Sequence, residues 1–368
     1  MTMKFNRLIL LCSILIIGLT ACSSGGNSEQ TNVDENESPE NAAASEELSD
    51  ELLIFNWSEY MPQEILDNFE EEFGVEIVYS TFSSNQEMLA KLQAGTVAYD
   101  LVVPSDFFVN QLKEEGMLQE IDFSNIPNYE NIADEWKGLP FDPDEKYSVP
   151  YMYGYDGIAF NSEKIDEAPT SWEDLWNPEY KGQVITMEEP KENFNMLLQS
   201  LGYDPNDPTE EQLQEAGEKL KELVPNLLAF KSTPEPEFAS GEAWIGYAYS
   251  GAAAVAWKEN KNIEFVLPEE GGIRWTDNMV IPANAQNKYT AEVFIDYLLR
   301  PEVSKKLSEA YPYGNPNEAA VELLDDELKE SPGMNIPSEQ IEKADWGKPL
   351  DPDKTQMMNR YFQESKVD

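Results

Sequence analysis

Apolar residues come in short runs at 52–56 and 101–104 and, interrupted by Glu76, at 75–80. Between the runs they recur every three or four positions, as at Ile65, Leu66 and Phe69 after Pro62, and again over 87–94. The runs predict buried strands, and the wider spacing predicts helices packed on them. Alternation of the two predicts an α/β fold with a mostly parallel sheet. Further along, 147–151 and 157–161 predict two strands that cross into a second unit. A short helix at 172–176, a strand at 183–187, a helix at 190–201 with Pro190 in its first turn, and an amphipathic helix at 210–223 follow. Two more strands are predicted at 243–249 and 264–267. Residues 278–282 lead back to the first unit, 290–307 predict one helix with Val293, Phe294, Tyr297 and Leu298 inward, and 317–368 predict short helices. In parallel sheets ligands sit beyond the carboxyl ends of the strands. That rule converges Trp57-Ser58-Glu59-Tyr60 and Ser105-Asp106-Phe107 on one crevice.

The ends of the chain carry a different pattern. Lys4 and Arg7 precede an apolar run at 8–19 that closes with Leu19-Thr20-Ala21-Cys22. Residues 1–21 therefore read as a secretory signal peptide, too short for a comfortable membrane span. Its ending resembles a bacterial lipobox, which implies lipidation of Cys22. Residues 23–50 hold eight acids, no base and no aromatic residue, so they predict a disordered tether.

Composition then narrows the chemistry. The 368 residues suffice for two domains with real cores. Of the two cysteines, Cys12 lies in the leader and Cys22 carries lipid, so no disulfide is expected. With no histidine, His-based triads and His metal sites are excluded; no cofactor and no metal is expected. Against 25 basic residues stand 71 acids, a formal charge of −46 that repels nucleic acid and favours cationic ligands. Strong acidity in an exported protein also suits a salty or alkaline medium, so only carboxylates near aromatics count toward a site. Trp275 and Asp277 qualify, because positions two apart in an extended segment face the same side. A ring and a carboxylate there suit an organic ammonium ion; a core Trp beside a solvated Asp is the plainer alternative. Glu189 and Glu192 flank Pro190, and also read simply as the first turn of a helix.

Several stretches together carry a family resemblance: Asn56-Trp57-Ser58-Glu59-Tyr60, Tyr99-Asp100-Leu101-Val102-Val103-Pro104-Ser105, Ser171-Trp172-Glu173-Asp174-Leu175-Trp176, Pro178-Glu179-Tyr180-Lys181-Gly182, Gly271-Gly272-Ile273-Arg274-Trp275-Thr276-Asp277 and Leu298-Leu299-Arg300-Pro301-Glu302-Val303. In order and content they resemble the spermidine/putrescine-binding proteins of bacterial polyamine ABC transporters, over residues 52 to about 361. The resemblance implies a type II two-lobe periplasmic-binding-protein fold, each lobe a mixed, mostly parallel sheet with flanking helices. Lobe 1 would be 51–154 plus 277–322, and lobe 2 would be 155–276 plus 323–368, after a leader at 1–21 and a tether at 22–50. Carried over, the family's aromatics fall on Trp57, Tyr60, Tyr249, Trp275 and Tyr313, and its carboxylates on Glu189, Glu192 and Asp277. Ser58, Glu59 and Ser105 match polar positions near the ligand's end. Phe107 stands where spermidine-binding relatives have Tyr, Tyr249 replaces a Trp and Glu189 an Asp; nothing is carried to Gly347.

The implied protein is no enzyme. It is a monomeric lipoprotein on the outer face of the membrane, of Gram-positive cell-surface type or else periplasmic, that delivers polyamine to an ABC permease. Its ligand would be spermidine by preference, with putrescine also accepted. A carboxylate-pair hydrolase, a two-lobe receptor for an anion, a metal or another organic cation, and an adhesive surface lipoprotein are the alternatives. An acidic cleft without histidine fits anion and iron receptors poorly.

Overall fold

A computed structural model of the protein describes residues 47–58 and 60–366. The leader, Cys22, most of the predicted tether and Glu59 lie outside the described residues. β1 (Glu51–Trp57), α1 (Gln63–Phe73), β2 (Glu76–Phe82), α2 (Asn85–Ala94), β3 (Leu101–Val102) and α3 (Asp106–Glu114) open the fold. After short 3-10 turns comes β4 (Ser148–Asn161), then β5 (Val184–Thr186), α4 (Pro190–Ser200), α5 (Glu210–Leu223) and β6 (Leu227–Phe230). α6 (Glu235–Ser240), β7 (Ile245–Tyr249), α7 (Ser250–Glu259) and β8 (Ile263–Val266) lead to β9 (Ile273–Val280). The chain continues through α8 (Lys288–Leu298), α9 (Pro301–Ala310), α10 (Glu318–Glu322), α11 (Asp326–Lys329), α12 (Ser338–Ile341), β10 (Asp345–Trp346) and α13 (Pro352–Ser365).

The strands are linked in the order β2-β1-β3-β9-β4-β7-β5-β6, with β10 on β9 and β8 on β4. β1 pairs in parallel with β2 and β3, and β5 in parallel with β6 and β7. Between these two parallel blocks β9 and β4 run antiparallel to each other, and each is antiparallel to the block it meets. Apolar side chains from 52–152 and 279–307 share one core that includes Phe55, Phe69 and Phe294. A second core joins residues of 158–247 to Met358 and Phe362 of α13, and a third gathers Phe238, Phe265 and Ile336. This is the two-lobe α/β architecture, and the β4–β9 ladder links its two parallel blocks.

Local sequence explains most boundaries. Pro62 opens α1, and Gly74, at φ +72°, closes it with its N–H on the Glu70 carbonyl. Ser84 caps α2 through the Glu87 N–H, and Thr209 with Gln212 forms a capping box on α5.

Four expectations need correction. The two strands predicted at 147–151 and 157–161 are one strand of fourteen residues. Gly154 and Gly157 are not breaks in it; a Cβ at either would collide with the ring of Trp275 or Phe265 that packs across the backbone. The helix predicted over 290–307 is two, because Pro301 forces Arg300 out of the helical region to ψ 131° and starts a new helix. α3 was not anticipated past Phe107, although Phe108, Val109 and Leu112 form its buried face. Finally, the fold begins before residue 51: Leu48 packs on the first core, and the Ser49 N–H bonds Thr290 Oγ1 at 2.9 Å.

Candidate ligand-binding site

β9 supplies the centre of the site. Asp277 is 5% exposed and accepts the Tyr60 hydroxyl at 2.9 Å and the Ser105 hydroxyl at 2.7 Å. Tyr60 follows the carboxyl end of β1, and Ser105 stands at the N-cap position of α3 after β3, so both arrive from strand ends as the parallel-sheet rule requires. Asn85 of α2 fixes Ser105 in turn, its Nδ2 donating to Oγ at 3.0 Å. The Tyr60 ring meets Tyr313 edge-on at 5.5 Å, and Tyr313 meets Trp275 at 5.7 Å. Trp275 in turn meets Tyr249 edge-on at 5.8 Å. Tyr60, Ser105, Asp277, Tyr313, Trp275 and Tyr249 are thus one continuous group drawn from β1, β3, β7, β9 and the segment after α9.

A second carboxylate underlies Trp275. Asp156 of β4, 2% exposed, accepts Trp275 Nε1–H at 3.0 Å and the Tyr247 hydroxyl at 2.6 Å. Glu192, in the first turn of α4, lies within electrostatic reach of Asp156 and of Tyr249 and accepts from Asn195 Nδ2 at 3.2 Å. Glu189, at the N-cap of the same helix, is exposed and makes no side-chain capping bond there. Lys191 between them sends its ammonium over the Phe107 ring, 5.6 Å from the centroid. Trp57 and Ser58 make their contacts with Phe82 instead: the Trp57 ring tilts against it at 4.6 Å, and the Ser58 N–H bonds its carbonyl at 3.1 Å. The Trp57 indole N–H is buried without a hydrogen-bond partner among the described residues.

Electrostatics single out this group. Burial pushes Asp277 up to about 7, even though the Ser105 and Tyr60 hydroxyls pull it back. Asp106, beside Ser105, is pushed up to about 8 by burial, with Asp277 adding to the shift and Lys191 opposing it. Asp156 stands well above the usual carboxylate range through burial and the nearby Glu192. Glu192 is raised by burial against the pull of Lys191, and Glu189 by partial desolvation and Glu188. Acids crowded in this way favour any cation that can enter and pair with them, and they sit among rings that suit an organic one.

The sequence profile of the bacterial extracellular solute-binding proteins matches residues 64–336 of the chain. The chain belongs to that family. Among solute-binding proteins of known role, the spermidine/putrescine-binding periplasmic protein of Salmonella typhimurium is 40% identical over 99% of both chains. The putrescine-binding periplasmic protein PotF of Escherichia coli is 35% identical over 78% of this chain and 84% of its own. Among solved structures, the spermidine/putrescine ABC transporter substrate-binding protein PotD of Streptococcus pneumoniae superposes with a TM-score of 0.76 at 35% identity. It covers 87% of this chain and 99% of its own. The TpPotD lipoprotein of Treponema pallidum reaches 0.75 at 27% identity, covering 86% of this chain and 99% of its own. Members of this group are substrate-binding components of transporters, and this chain is a solute-binding protein rather than an enzyme. No helix among its described residues is long and apolar enough to cross a membrane.

Of the residues expected at the site, the fold joins five to Asp277, places Glu192 beside Asp156, and leaves Glu189 exposed. Two participants escaped the sequence reading, and a third, Asp106, is placed by it at the crevice between Ser105 and Phe107 but is not counted among the ligand residues. Asp156 lies 119 residues from Trp275, and only the β4–β9 pairing brings them together. Lys191 was hidden by its setting, since a lysine between two glutamates reads as a solvated helix face.

Proposed function

We propose that the protein captures polyamines between its lobes, spermidine in preference to putrescine, and delivers them to an ABC permease. The observation that carries this is the Asp277 centre: a buried carboxylate with only hydroxyl donors among the described residues, walled by Trp275, Tyr60 and Tyr313. A polyamine is a row of ammonium groups joined by short alkyl chains, so its site needs carboxylates at intervals and aromatic walls between them. Each cation–π contact contributes about 0.5–2 kcal/mol. An ammonium left unpaired in a closed site costs several kcal/mol, so each needs its own acceptor. Asp277 would take one amine, with Glu189 and Glu192 taking others from the second lobe, and Trp57, Tyr249 and Tyr313 covering the methylenes. Ser58, Glu59, Ser105 and Phe107 would line one end. Lobe 1 would be 51–154 plus 277–322 and lobe 2 would be 155–276 plus 323–368, a division that the separate apolar cores support.

The protein would act as a monomer on the outer face of the membrane, anchored by lipid on Cys22 and set off from it by the acidic residues of 23–50. The Treponema pallidum relative is a lipoprotein, which supports the anchor.

Calorimetric titration with putrescine, spermidine and spermine tests the reading. Three inferred carboxylates match a triamine and leave one acid unpaired by a diamine, so spermidine should bind about tenfold tighter than putrescine, near 1.4 kcal/mol. Absence of heat with all three ligands would refute polyamine binding. Equal affinities would leave capture standing and remove the preference.

A further inference from the structure

α3 starts at Asp106, between Ser105, which donates to Asp277, and Phe107, which lies under the Lys191 ammonium. Asp106 is 3% exposed. Its Oδ1 accepts the adjacent Phe107 N–H at 2.7 Å, while Oδ2 is buried and makes no hydrogen bond of ordinary geometry among the described residues; the Thr276 backbone N–H is close enough to lower the carboxyl's pKa but leaves that oxygen without a well-formed bond. A buried carboxylate oxygen so poorly partnered is uncommon, and such atoms commonly trace to an ion or ligand the site is built to hold. Ser105 on one side of it reaches Asp277 and Phe107 on the other lies under Lys191, which puts the carboxyl beside the Asp277 centre, and both charges act on it.

The starting turn of a helix explains only part of this arrangement. Ser105 holds the N-cap position, and at the first helical position a single acceptor for the Phe107 N–H is all the turn uses; an amide or hydroxyl side chain would serve as well. The second oxygen and the charge are surplus to it. Lys191 has the complementary peculiarity. It is a cation in a site built of acids, it comes from α4, and its ammonium is held over the Phe107 ring. Asp106, Asp156 and Glu192 all feel it.

We propose that Asp106 is a further ammonium acceptor of the ligand site, and that Lys191 is a tethered cation that shields it until an amine of the ligand takes over. The proposal rests on the polyamine reading above and adds to it an acid that this reading does not use. It also gives Lys191 a definite cost: a bound amine and a resident lysine compete for the same negative charge, so the lysine holds affinity down.

The test is spermidine titration, at one salt concentration and near pH 8, of wild type, Asp106→Asn, Asp106→Ser, Lys191→Gln and the Asp106→Asn/Lys191→Gln double variant. Both Asp106 variants should keep the wild-type near-ultraviolet circular dichroism and bind about tenfold or more weakly, while Lys191→Gln should bind about threefold more tightly. In the double variant the gain from Lys191→Gln should vanish, because the charge it shields is gone. Folded Asp106 variants that bind within about twofold of wild type would overturn the acceptor role. An undiminished gain from Lys191→Gln in the Asp106→Asn background would overturn the shielding. A wild type that binds no polyamine overturns the function and this inference with it, a result distinct from a binding wild type with silent variants.

Discussion

Two buried aspartates, Asp100 and Asp277, differ in what holds them: the first is fixed as a structural acid, the second is the acceptor proposed for the ligand. Asp100 is 0% exposed and accepts four N–H groups: those of Leu53 at 3.0 Å, Gln286 at 3.0 Å, Asn287 at 2.9 Å, and the Asn287 side-chain amide at 3.0 Å. It ties β1 to the segment that leads into α8. Asp142 works similarly, collecting the backbone N–H groups of Lys146, Tyr147 and Ser148. Asp277 has two donors, and both are hydroxyls. Amide N–H groups can only donate, so a carboxylate saturated by them has its charge compensated by the fold itself. Hydroxyls rotate and can accept as well, so they orient a carboxylate without cancelling its demand for a cation. Burial alone therefore does not mark a ligand site; the kind of donor does.

The sharpest way to break that contrast is to truncate both residues. Asp100→Ala strands four donors and should cost about 3–5 kcal/mol of stability in urea unfolding. Spermidine affinity of the folded fraction should hold within about threefold, because the residue touches none of the Asp277 group. Asp277→Ala should do the reverse. It strands a ligand ammonium and should cost about 2–5 kcal/mol of affinity, with less than about 1 kcal/mol of stability lost. A folded Asp277→Ala that loses less than about threefold would sink the assignment, and an Asp100→Ala that loses affinity as heavily would erase the distinction.

The pH dependence sharpens the same point from the other side. The pKa of Asp277, about 7, lies above the value near 4 of an unfolded aspartate. Its contribution to the stability of the ligand-free protein is therefore whole below about pH 4 and is lost as the pH climbs through about 7. Ligand binding runs the opposite way, because an ammonium prefers the ionised acid and aliphatic amines stay protonated to about 10. Through Asp277 alone, spermidine affinity should thus rise by about tenfold between pH 5.5 and 6.5 and flatten above about 7, and any rise that continues toward pH 8 belongs to Asp106, which is pushed up to about 8. Asp277→Asn should remove most of that slope, and a wild-type profile flat across the range would show that Asp277 is already ionised without ligand.

How far the sequence carried depended on the range of the interaction. Trp275 and Asp277, two apart, could be put on one face by strand geometry alone, and the strand ends carrying Tyr60 and Ser105 followed from the α/β alternation. The acids Glu189 and Glu192 were legible only with the family resemblance, since a helix start explains them equally well. Asp156 and Tyr247 were not legible, because their roles exist only once β4 lies between β9 and β7. The continuity of β4 was misread for a related reason. Gly154 and Gly157 look like punctuation until the aromatic rings that need their missing side chains are in place. The division at Pro301, by contrast, was written locally, and the apolar periodicity on either side masked it.

The smallest expected effect, and the most specific, comes from Tyr60→Phe. The Tyr60 ring packs edge-on against Tyr151 and Tyr313, both at 5.5 Å, and phenylalanine keeps that packing. What goes is one O–H donor at 2.9 Å from Asp277. In the ligand-free protein that bond favours the ionised acid, so removing it should raise the Asp277 pKa further and shift the midpoint of the binding profile to higher pH. In the complex an ammonium can occupy the vacated oxygen, so the loss is partly made good. Affinity near pH 6 should therefore fall by about fivefold, close to the 1 kcal/mol of one net hydrogen bond, and should converge on wild type near pH 8.5. Paired titrations at the two pH values decide it. A uniform loss at both would mean that Tyr60 acts on the ligand directly, and an unmoved midpoint would mean that its hydroxyl does nothing for Asp277 that the Ser105 hydroxyl does not already do.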